Sequence, residues 1–116
     1  MKNSIKKNED FKKVYSFKKS YASKNMVLYI LKNYEMERNR LGISVSKKVG
    51  NSVVRHTLIR RIREIYRKNE KNLMNSFDMV IVLRIGSYEA SFFDLNKEFL
   101  ELCKKQKILK DEGFQY

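Results

Sequence analysis

The segment from Lys47 to Arg67 constrains the fold of this chain more than any other stretch. Placed on a helix at about 100° per residue, its apolar side chains fill one arc and its cations fill another. The apolar arc contains Val54, Leu58, Ile59, Ile62, Ile65 and Tyr66, and the basic face contains His56, Arg60, Arg63 and Arg67. Gly50 permits a sharp entry into this helix, and Asn51 or Ser52 can cap its first N–H groups. The helix is expected to pack through one side, while its basic face is either solvated or a binding surface.

The charge of the whole chain favours a binding surface. Its 116 residues contain 26 Lys and Arg against 13 Asp and Glu, which gives a net charge of +13 spread along the sequence. Such an excess costs self-repulsion in the folded state, and a polyanion is the usual partner that offsets it. The sequence has no apolar run long enough to span a bilayer and no apolar signal segment after Met1. We therefore expect a cytoplasmic protein that binds nucleic acid and has no membrane partner.

The length predicts one RNA-binding domain over residues 1–116 with a substantial core. The single cysteine, Cys103, cannot form an internal disulfide and is expected to be a buried thiol rather than a nucleophile. The carboxylates Glu64, Asp78 and Asp94 have no metal-ligand spacing, and no Cys/His cluster suits structural zinc. We therefore assign no catalytic side chain and no metal ligand to this chain.

Helix and strand signals alternate along the rest of the sequence. The first helix is predicted from Lys7 to Phe17 with Asn8 as its cap, and the last from Ala90 to Lys107, with Phe92 and Phe99 in the core. The strands are predicted over residues 26–31, 40–46 and 78–85, the last of them buried on both faces. The polar residues 34–39 suit a hairpin connection. The tail from Ile108 to Tyr116 carries no recognisable signal and is a candidate loose end.

The order helix, strand, strand, basic helix, strand, helix predicts an α+β domain with helices layered on one side of a sheet. The strands before and after the basic helix are expected to be parallel and to lie next to or near each other. In the strand from Arg40 to Ser46, the small residues Gly42, Ser44 and Ser46 share one side and leave the backbone approachable.

Aromatic residues alternate with lysines in the first predicted helix, where Phe11 and Tyr15 flank Lys12 and Lys13. This pattern fits a core stripe with a solvated back. In a basic protein it also fits a surface on which unpaired bases stack while lysines contact the phosphates. Tyr29, in the next strand, extends such a surface if its side chain lies on the face beside the helix.

Two segments resemble the protein subunit of bacterial ribonuclease P. The first is Lys-Asn-Glu-Asp-Phe-Lys-Lys-Val-Tyr at residues 7–15. The second is Arg-Leu-Gly-Ile-Ser-Val-Ser-Lys-Lys-Val-Gly-Asn-Ser-Val-Val-Arg at residues 40–55, followed by Arg60 and Arg63-Glu64. The likeness covers nearly the whole chain in length and in the order of elements.

The resemblance implies a four-stranded sheet with helices on one face and a left-handed βαβ crossover, against the usual right-handed rule. It also implies a subunit of an endoribonuclease that matures the 5′ end of tRNA. The RNA subunit, with its Mg²⁺ ions, would carry the chemistry. The protein would bind that catalytic RNA in a one-to-one complex, together with the single-stranded 5′ leader of precursor tRNA.

The resemblance also assigns roles to positions that match the family's motifs. Contacts with the catalytic RNA fall to the corner before the basic helix and to the helix itself, at Lys47, Lys48, Arg55, His56, Arg60, Arg61, Arg63 and Arg67. Contacts with the leader fall to Phe11, Lys12, Tyr15 and Tyr29. His56, Thr57 and Ile59 stand where the family's motif has Asn, Arg and Lys, so two cations are missing. Arg61 is expected to restore one charge by snorkelling around the helix.

Two alternatives remain at this point. A structural RNA-binding protein of the ribosomal type would share the composition, but it would not need Phe11, Tyr15 and Tyr29 exposed toward one groove. A protein enzyme acting alone would need an acid and a base. His56 is the only histidine, and on the basic face it is expected to contact a phosphate or a 2′-OH instead.

Overall fold

The computed structural model describes residues 4–110 and contains all the predicted helices and strands. The elements are α1 (Asn8–Ser16), β1 (Ser20–Ala22), β2 (Met26–Lys32), β3 (Arg40–Ser44), α2 (Ser52–Asn69), β4 (Phe77–Leu83) and α3 (Phe92–Lys105). Short 3₁₀ helices follow α2 at Glu70–Asn72 and β4 at Ser87–Glu89. No pattern in the sequence predicts a strand at β1, although the resemblance implied a fourth strand. The structure is thus a mixed α+β fold with a four-stranded sheet.

The four strands lie in the order β1-β2-β4-β3. β2 pairs antiparallel with β1 and with β4, and β3 pairs parallel with β4. The strands before and after α2 are parallel neighbours, as predicted. The left-handed crossover between them stays a prediction. The prediction of a hairpin connection at residues 34–39 is wrong, because β4 lies between β2 and β3 in the sheet. A polar connection shows that the chain turns there, but it does not show which strands pair.

Alternate residues of β2 and β4 belong to two separate cores. Met79 and Ile81 of β4 are fully buried in the larger core, beneath α2 and α3. Val80 lies on the other face and packs in a smaller cluster with Val14 of α1. The expectation of helices on one face therefore holds for α2 and α3 and is wrong for α1. An amphipathic stripe predicts that a helix packs, but it does not say on which side of the sheet.

The ends of the helices follow local capping chemistry. The Asn51 side chain accepts a hydrogen bond from the Val54 N–H at 3.0 Å, so Asn51 rather than Ser52 caps α2. Gly50 allows a close approach, since a Cβ there would lie 2.6 Å from Val54 Cγ1. The expected cap at Asn8 is wrong, because Lys7 occupies that position and makes no side-chain cap hydrogen bond.

The C-terminal part of the described chain packs against the core. Ile108 is fully buried, its carbonyl accepts a hydrogen bond from the Met74 N–H, and Leu109 forms an isolated bridge with Leu73. The expectation of a loose tail is wrong for residues 108–110 because Ile108 fills the larger core. Residues 111–116 lie outside the described part of the chain. Phe99 is buried as expected, whereas Phe92, in the first turn of α3, is 37% exposed.

Candidate nucleic-acid interface

The structure brings Phe11, Tyr15 and Tyr29 together on the half-covered face of the sheet, and we call this group the aromatic cleft. The rings of Tyr15 and Tyr29 meet edge to face with centroids 4.9 Å apart. The rings of Phe11 and Tyr15 have centroids 6.4 Å apart. All three side chains are partly buried. They therefore pack on the sheet and still present ring surface to solvent.

The position of Phe11 depends on the absence of a side chain at Gly42. A Cβ at this residue of β3 would lie 2.7 Å from Phe11 Cε1 and 3.2 Å from Ile5 Cβ. Gly42 is paired with Val80 in the sheet, so the Phe11 ring lies directly against the backbone of β3. The side of β3 on which small residues were predicted to leave the backbone accessible thus contacts an aromatic ring.

Tyr15 of α1 packs against Tyr29 of β2 and lies near Ser44 of β3. Burial raises the pKa of its hydroxyl, and the nearby Ser44 side chain opposes part of that shift. Its phenol is therefore neutral in the physiological range. Tyr15 offers a flat ring rather than a charge, which suits stacking of bases without a sequence requirement.

A charged network fixes α1 at the end of the sheet next to the cleft. Arg40 binds the buried Asp78 through Nε–Oδ1 at 2.8 Å and Nη2–Oδ2 at 2.7 Å. Its Nη1 lies 3.6 Å from Asp10 Oδ2 of α1, and Asn33 donates to both Asp78 oxygens. The hydrogen bonds with Asp78 raise the pKa of Arg40, so the guanidinium stays charged. This network has no signal in the sequence, because Arg40 and Asp78 are partners only through the parallel register of β3 and β4.

The basic face of α2 is solvent-exposed as predicted. His56, Arg60, Arg63 and Arg67 are all exposed along one side of the helix. Arg67 forms a 3.3 Å ion pair with Glu64, and both side chains are largely in solvent. Lys47 and Lys48 are exposed in the turn after β3, and Lys12 is exposed on α1. These cations are therefore available to a polyanion.

Arg55 and Arg61 differ from the other predicted contacts, because both are half-buried on the flanks of α2. Arg55 Nε donates to the Gly50 carbonyl at 3.2 Å. Arg61 Nη1 donates to the Tyr88 carbonyl at 3.1 Å, and its guanidinium lies 5.1 Å from the centre of the Tyr88 ring. Both guanidiniums already have protein partners. An RNA contact at either residue would therefore use only their remaining N–H groups.

Ile59, which stands where the family's motif has a cation, is half-buried at the edge of the basic face. It lines a cavity of about 260 Å³ between α2, β3 and the N-terminal segment, together with Ile5 and Ile43. Arg63 also borders this cavity, so apolar and basic residues meet at the edge of the basic face. Thr57 is half-buried, and its hydroxyl lies 3.5 Å from Arg60 Nη2.

Neither a metal-binding cluster nor a membrane-spanning helix was found within residues 4–110. No group of three or more His, Cys, Asp or Glu side chains in that range is arranged to hold an ion. None of the helices there is long and apolar enough to cross a bilayer. Cys103 is buried, and burial raises the pKa of its thiol to about 12.

Comparison with known sequences gives a consistent result. The family described as Ribonuclease P matches residues 1–107. The ribonuclease P protein component of Lachnoclostridium phytofermentans is 47% identical over 109 residues, covering 94% of this chain and 93% of the relative. That of Natranaerobius thermophilus is 42% identical over 106 residues, covering 91% of each.

Solved structures show the same similarity. The RNase P protein from Staphylococcus aureus superimposes with a TM-score of 0.85 at 31% identity, covering 93% of this chain and 98% of that one. The RNase P protein from Thermotoga maritima superimposes with a TM-score of 0.80 at 29% identity, covering 88% and 96%. The similarity therefore extends over almost the full length of the compared proteins.

Proposed function

Because the chain belongs to the ribonuclease P protein family, we propose that its aromatic cleft holds the 5′ leader of precursor tRNA while its basic face binds the catalytic RNA. The known role of the family is RNA binding in the 5′ maturation of tRNA. Ribonuclease P is an endoribonuclease, and in bacteria its catalytic subunit is an RNA. A processing role thus takes precedence over a purely structural RNA-binding role.

The observation that carries the proposal for the leader is the partial exposure of three rings on one side of the sheet. A leader is unpaired, so its bases are free to stack on these rings. Such stacking is worth about 1–3 kcal/mol per base and tolerates any sequence. Lys12, exposed on the same helix, can contact the leader's phosphates. Sequence tolerance suits a protein that processes many tRNAs.

The exposed cations of α2 and the preceding turn support the proposed contact with the catalytic RNA. Arg60 and Arg63 have planar guanidiniums that bind phosphate oxygens through two parallel hydrogen bonds. Lys47 and Lys48 add charge at the end of β3, three or four residues after Ser44, which lies near Tyr15. The catalytic RNA and the leader would therefore meet on neighbouring parts of one small domain.

The remaining partners follow from the same proposal. We assign the whole chain, residues 1–116, to one RNA-binding domain in a one-to-one complex with the catalytic RNA. The Mg²⁺ ions of the reaction are assigned to that RNA, and no side chain of this protein is assigned to catalysis. Precursor tRNA is the substrate, and the cytoplasm is the proposed location.

The proposal is tested by reconstituting the protein with a bacterial ribonuclease P RNA. We expect the protein to raise cleavage of precursor tRNA at low Mg²⁺ and to cleave nothing alone, because its cations reduce phosphate repulsion. The variant Phe11→Ala with Tyr15→Ala is expected to weaken binding of leader-bearing precursor and to leave binding of mature tRNA unchanged. Equilibrium binding to both RNAs measures the difference.

The matched control is Phe93→Ala, which removes an aromatic ring that is 72% exposed on α3. This variant is expected to bind both RNAs as the unmodified protein does. Circular dichroism verifies that each variant is folded. Equal losses of affinity for precursor and mature tRNA would contradict the assignment of the leader to the aromatic cleft.

A further inference from the structure

A second groove lies along the other flank of α1. By helical periodicity Phe11 and Tyr15 lie on one side of the buried Val14, and Lys13 and Phe17 lie on the other side. The second groove has a volume of about 450 Å³ and passes between this flank and the end of β2. The groove is lined by aromatic and basic side chains, namely Phe17, Tyr34 and Phe77 and Lys13, Lys19 and Lys32.

Large apolar surfaces are left in solvent here. Phe17 is 63% exposed and Tyr34 is 88% exposed, although neither ring is needed to complete a core. The Lys32 ammonium lies 4.8 Å from the centre of the Phe77 ring and 5.8 Å from that of Tyr34. Among residues 4–110, no carboxylate lines the second groove. Flat ring surfaces and positive charges therefore occur within one concave site.

This combination matches an unpaired nucleotide. A base gains by stacking on an aromatic ring, and its phosphate gains from nearby ammonium groups. The second groove is also adjacent to the aromatic cleft. Leu31, which lines the groove, packs in the same cluster as Tyr15 and Tyr29. Tyr29 and Leu31 are two residues apart on one face of β2, which is about 7 Å by the rise of a strand.

The topology gives a direction to the strand that would occupy both sites. The second groove lies at the end of the sheet where Lys32 of β2 pairs with Phe77 of β4, whereas Lys47 and the basic face follow β3 at the opposite end, beyond the pair of Ser44 with Val82. Tyr15 and Phe17 are both at the C-terminal end of α1, so a strand can pass around that end from one site to the other. Resting on the proposed function, we propose that the second groove binds an unpaired nucleotide of the same 5′ leader, upstream of those in the aromatic cleft.

The test uses the holoenzyme reconstituted with a bacterial ribonuclease P RNA and precursors whose leaders grow by one nucleotide at a time. The variant is Phe17→Ala with Tyr34→Ala, chosen because both rings are exposed and their loss leaves the cores intact. We expect equal affinities of variant and unmodified protein for short leaders. For long leaders the variant should bind about fivefold more weakly, which corresponds to about 1 kcal/mol of lost stacking.

Two control variants sharpen the test. Tyr34→Phe keeps the ring and is expected to retain the gain from long leaders. Phe93→Ala removes an exposed ring elsewhere and is expected to have no effect at any length. If long leaders raise the affinity of the Phe17→Ala, Tyr34→Ala variant as much as that of the unmodified protein, the second groove does not bind the leader.

The remaining outcomes separate this inference from the proposal on which it rests. If the unmodified protein gains nothing from any leader, the assignment of the leader to the aromatic cleft fails as well. If the variant loses affinity for the catalytic RNA or for mature tRNA to the same extent, the second groove contacts another part of the RNA. That result overturns the leader assignment for the groove and leaves the aromatic cleft untouched.

Discussion

The two faces of the sheet are made by the same strands but are covered to very different extents. Beneath α2 and α3, Met79 and Ile81 of β4 have no exposed surface. On the opposite face Val80 is buried against Val14, while Val82 and Tyr29 stay half-exposed. A single short helix, α1, covers only part of that face. The uncovered remainder is where the aromatic cleft lies.

This difference teaches that alternate residues of one strand can have separate purposes. The side chains that point toward α2 and α3 supply most of the buried apolar surface and hence most of the stability. Those that point toward α1 retain exposed ring surface for a ligand. Substitutions on the fully covered face should therefore act on stability, and substitutions on the other face should act on RNA binding.

The largest effect is expected from a cavity in the fully covered face. Leu58→Ala removes a side chain with no exposed surface and should lower the free energy of unfolding by about 2–5 kcal/mol. Urea denaturation measures the change. The matched control on the same helix is Val53→Ala, which is 69% exposed and should change stability by no more than about 0.5 kcal/mol. Similar losses for both variants would contradict the contrast between the faces.

A smaller loss of stability, with a loss of binding, is expected from Gly42→Ala. The added Cβ would lie 2.7 Å from Phe11 Cε1, so the ring or α1 must shift. Overpacking of this kind costs about 1–3 kcal/mol, and the displaced ring should also weaken binding of leader-bearing precursor. The same substitution in a Phe11→Ala background has no ring to displace and should cost clearly less. Additive losses of stability would exclude this contact as the cause.

Almost no change in stability is expected when the basic face is neutralised. Arg60→Ala with Arg63→Ala removes two exposed guanidiniums. Affinity for the catalytic RNA should then fall less steeply with salt, and the slope of log affinity against log salt should become less negative by about one to two units. Lys104→Ala with Lys105→Ala removes the same charge from exposed positions of α3 and should leave the slope unchanged. An unaltered slope for the arginine variant would remove the basic face from the RNA interface.

The smallest effect is expected when the folded protein is treated with a thiol reagent, because its cysteine lies on the fully covered face. Because burial raises the pKa of Cys103 to about 12, its thiol is neutral in the folded protein. A raised pKa means that the reactive thiolate is scarce at about pH 8, where a free thiol is partly ionised. A thiol reagent should therefore label Cys103 slowly until denaturant unfolds the chain. Rapid labelling of the folded protein would show that this face opens readily.

The local structure of α2 could be predicted from the sequence, because the relevant information lies within one turn of each residue. The spacing of Leu58 and Ile62 sets the buried stripe, and Asn51 supplies the cap. The basic face follows from the same periodicity. The exposed positions of Arg60 and Arg63 were predicted for that reason.

The remaining features depend on contacts between distant segments. The short strand β1 has too few residues to establish a pattern, and it forms because β2 offers a partner. The side of the sheet that α1 covers depends on the packing of Val14 against Leu31 of β2 and Val80 of β4. The register of β3 with β4 brings Arg40 to Asp78. The second groove combines Phe17, Tyr34 and Phe77 from three separate stretches. None of these placements has a signal in the local sequence.

The apolar arc and the basic face of α2 also limit where residues can be inserted into or deleted from the chain. Each residue of a helix advances by about 100°, so one insertion between Asn51 and Arg60 would rotate every later side chain by that angle. Arginines would then turn toward the interior, and isoleucines would turn toward water. Insertions and deletions in this family should therefore collect in the connections, such as the segment between β2 and β3, and be excluded from α2.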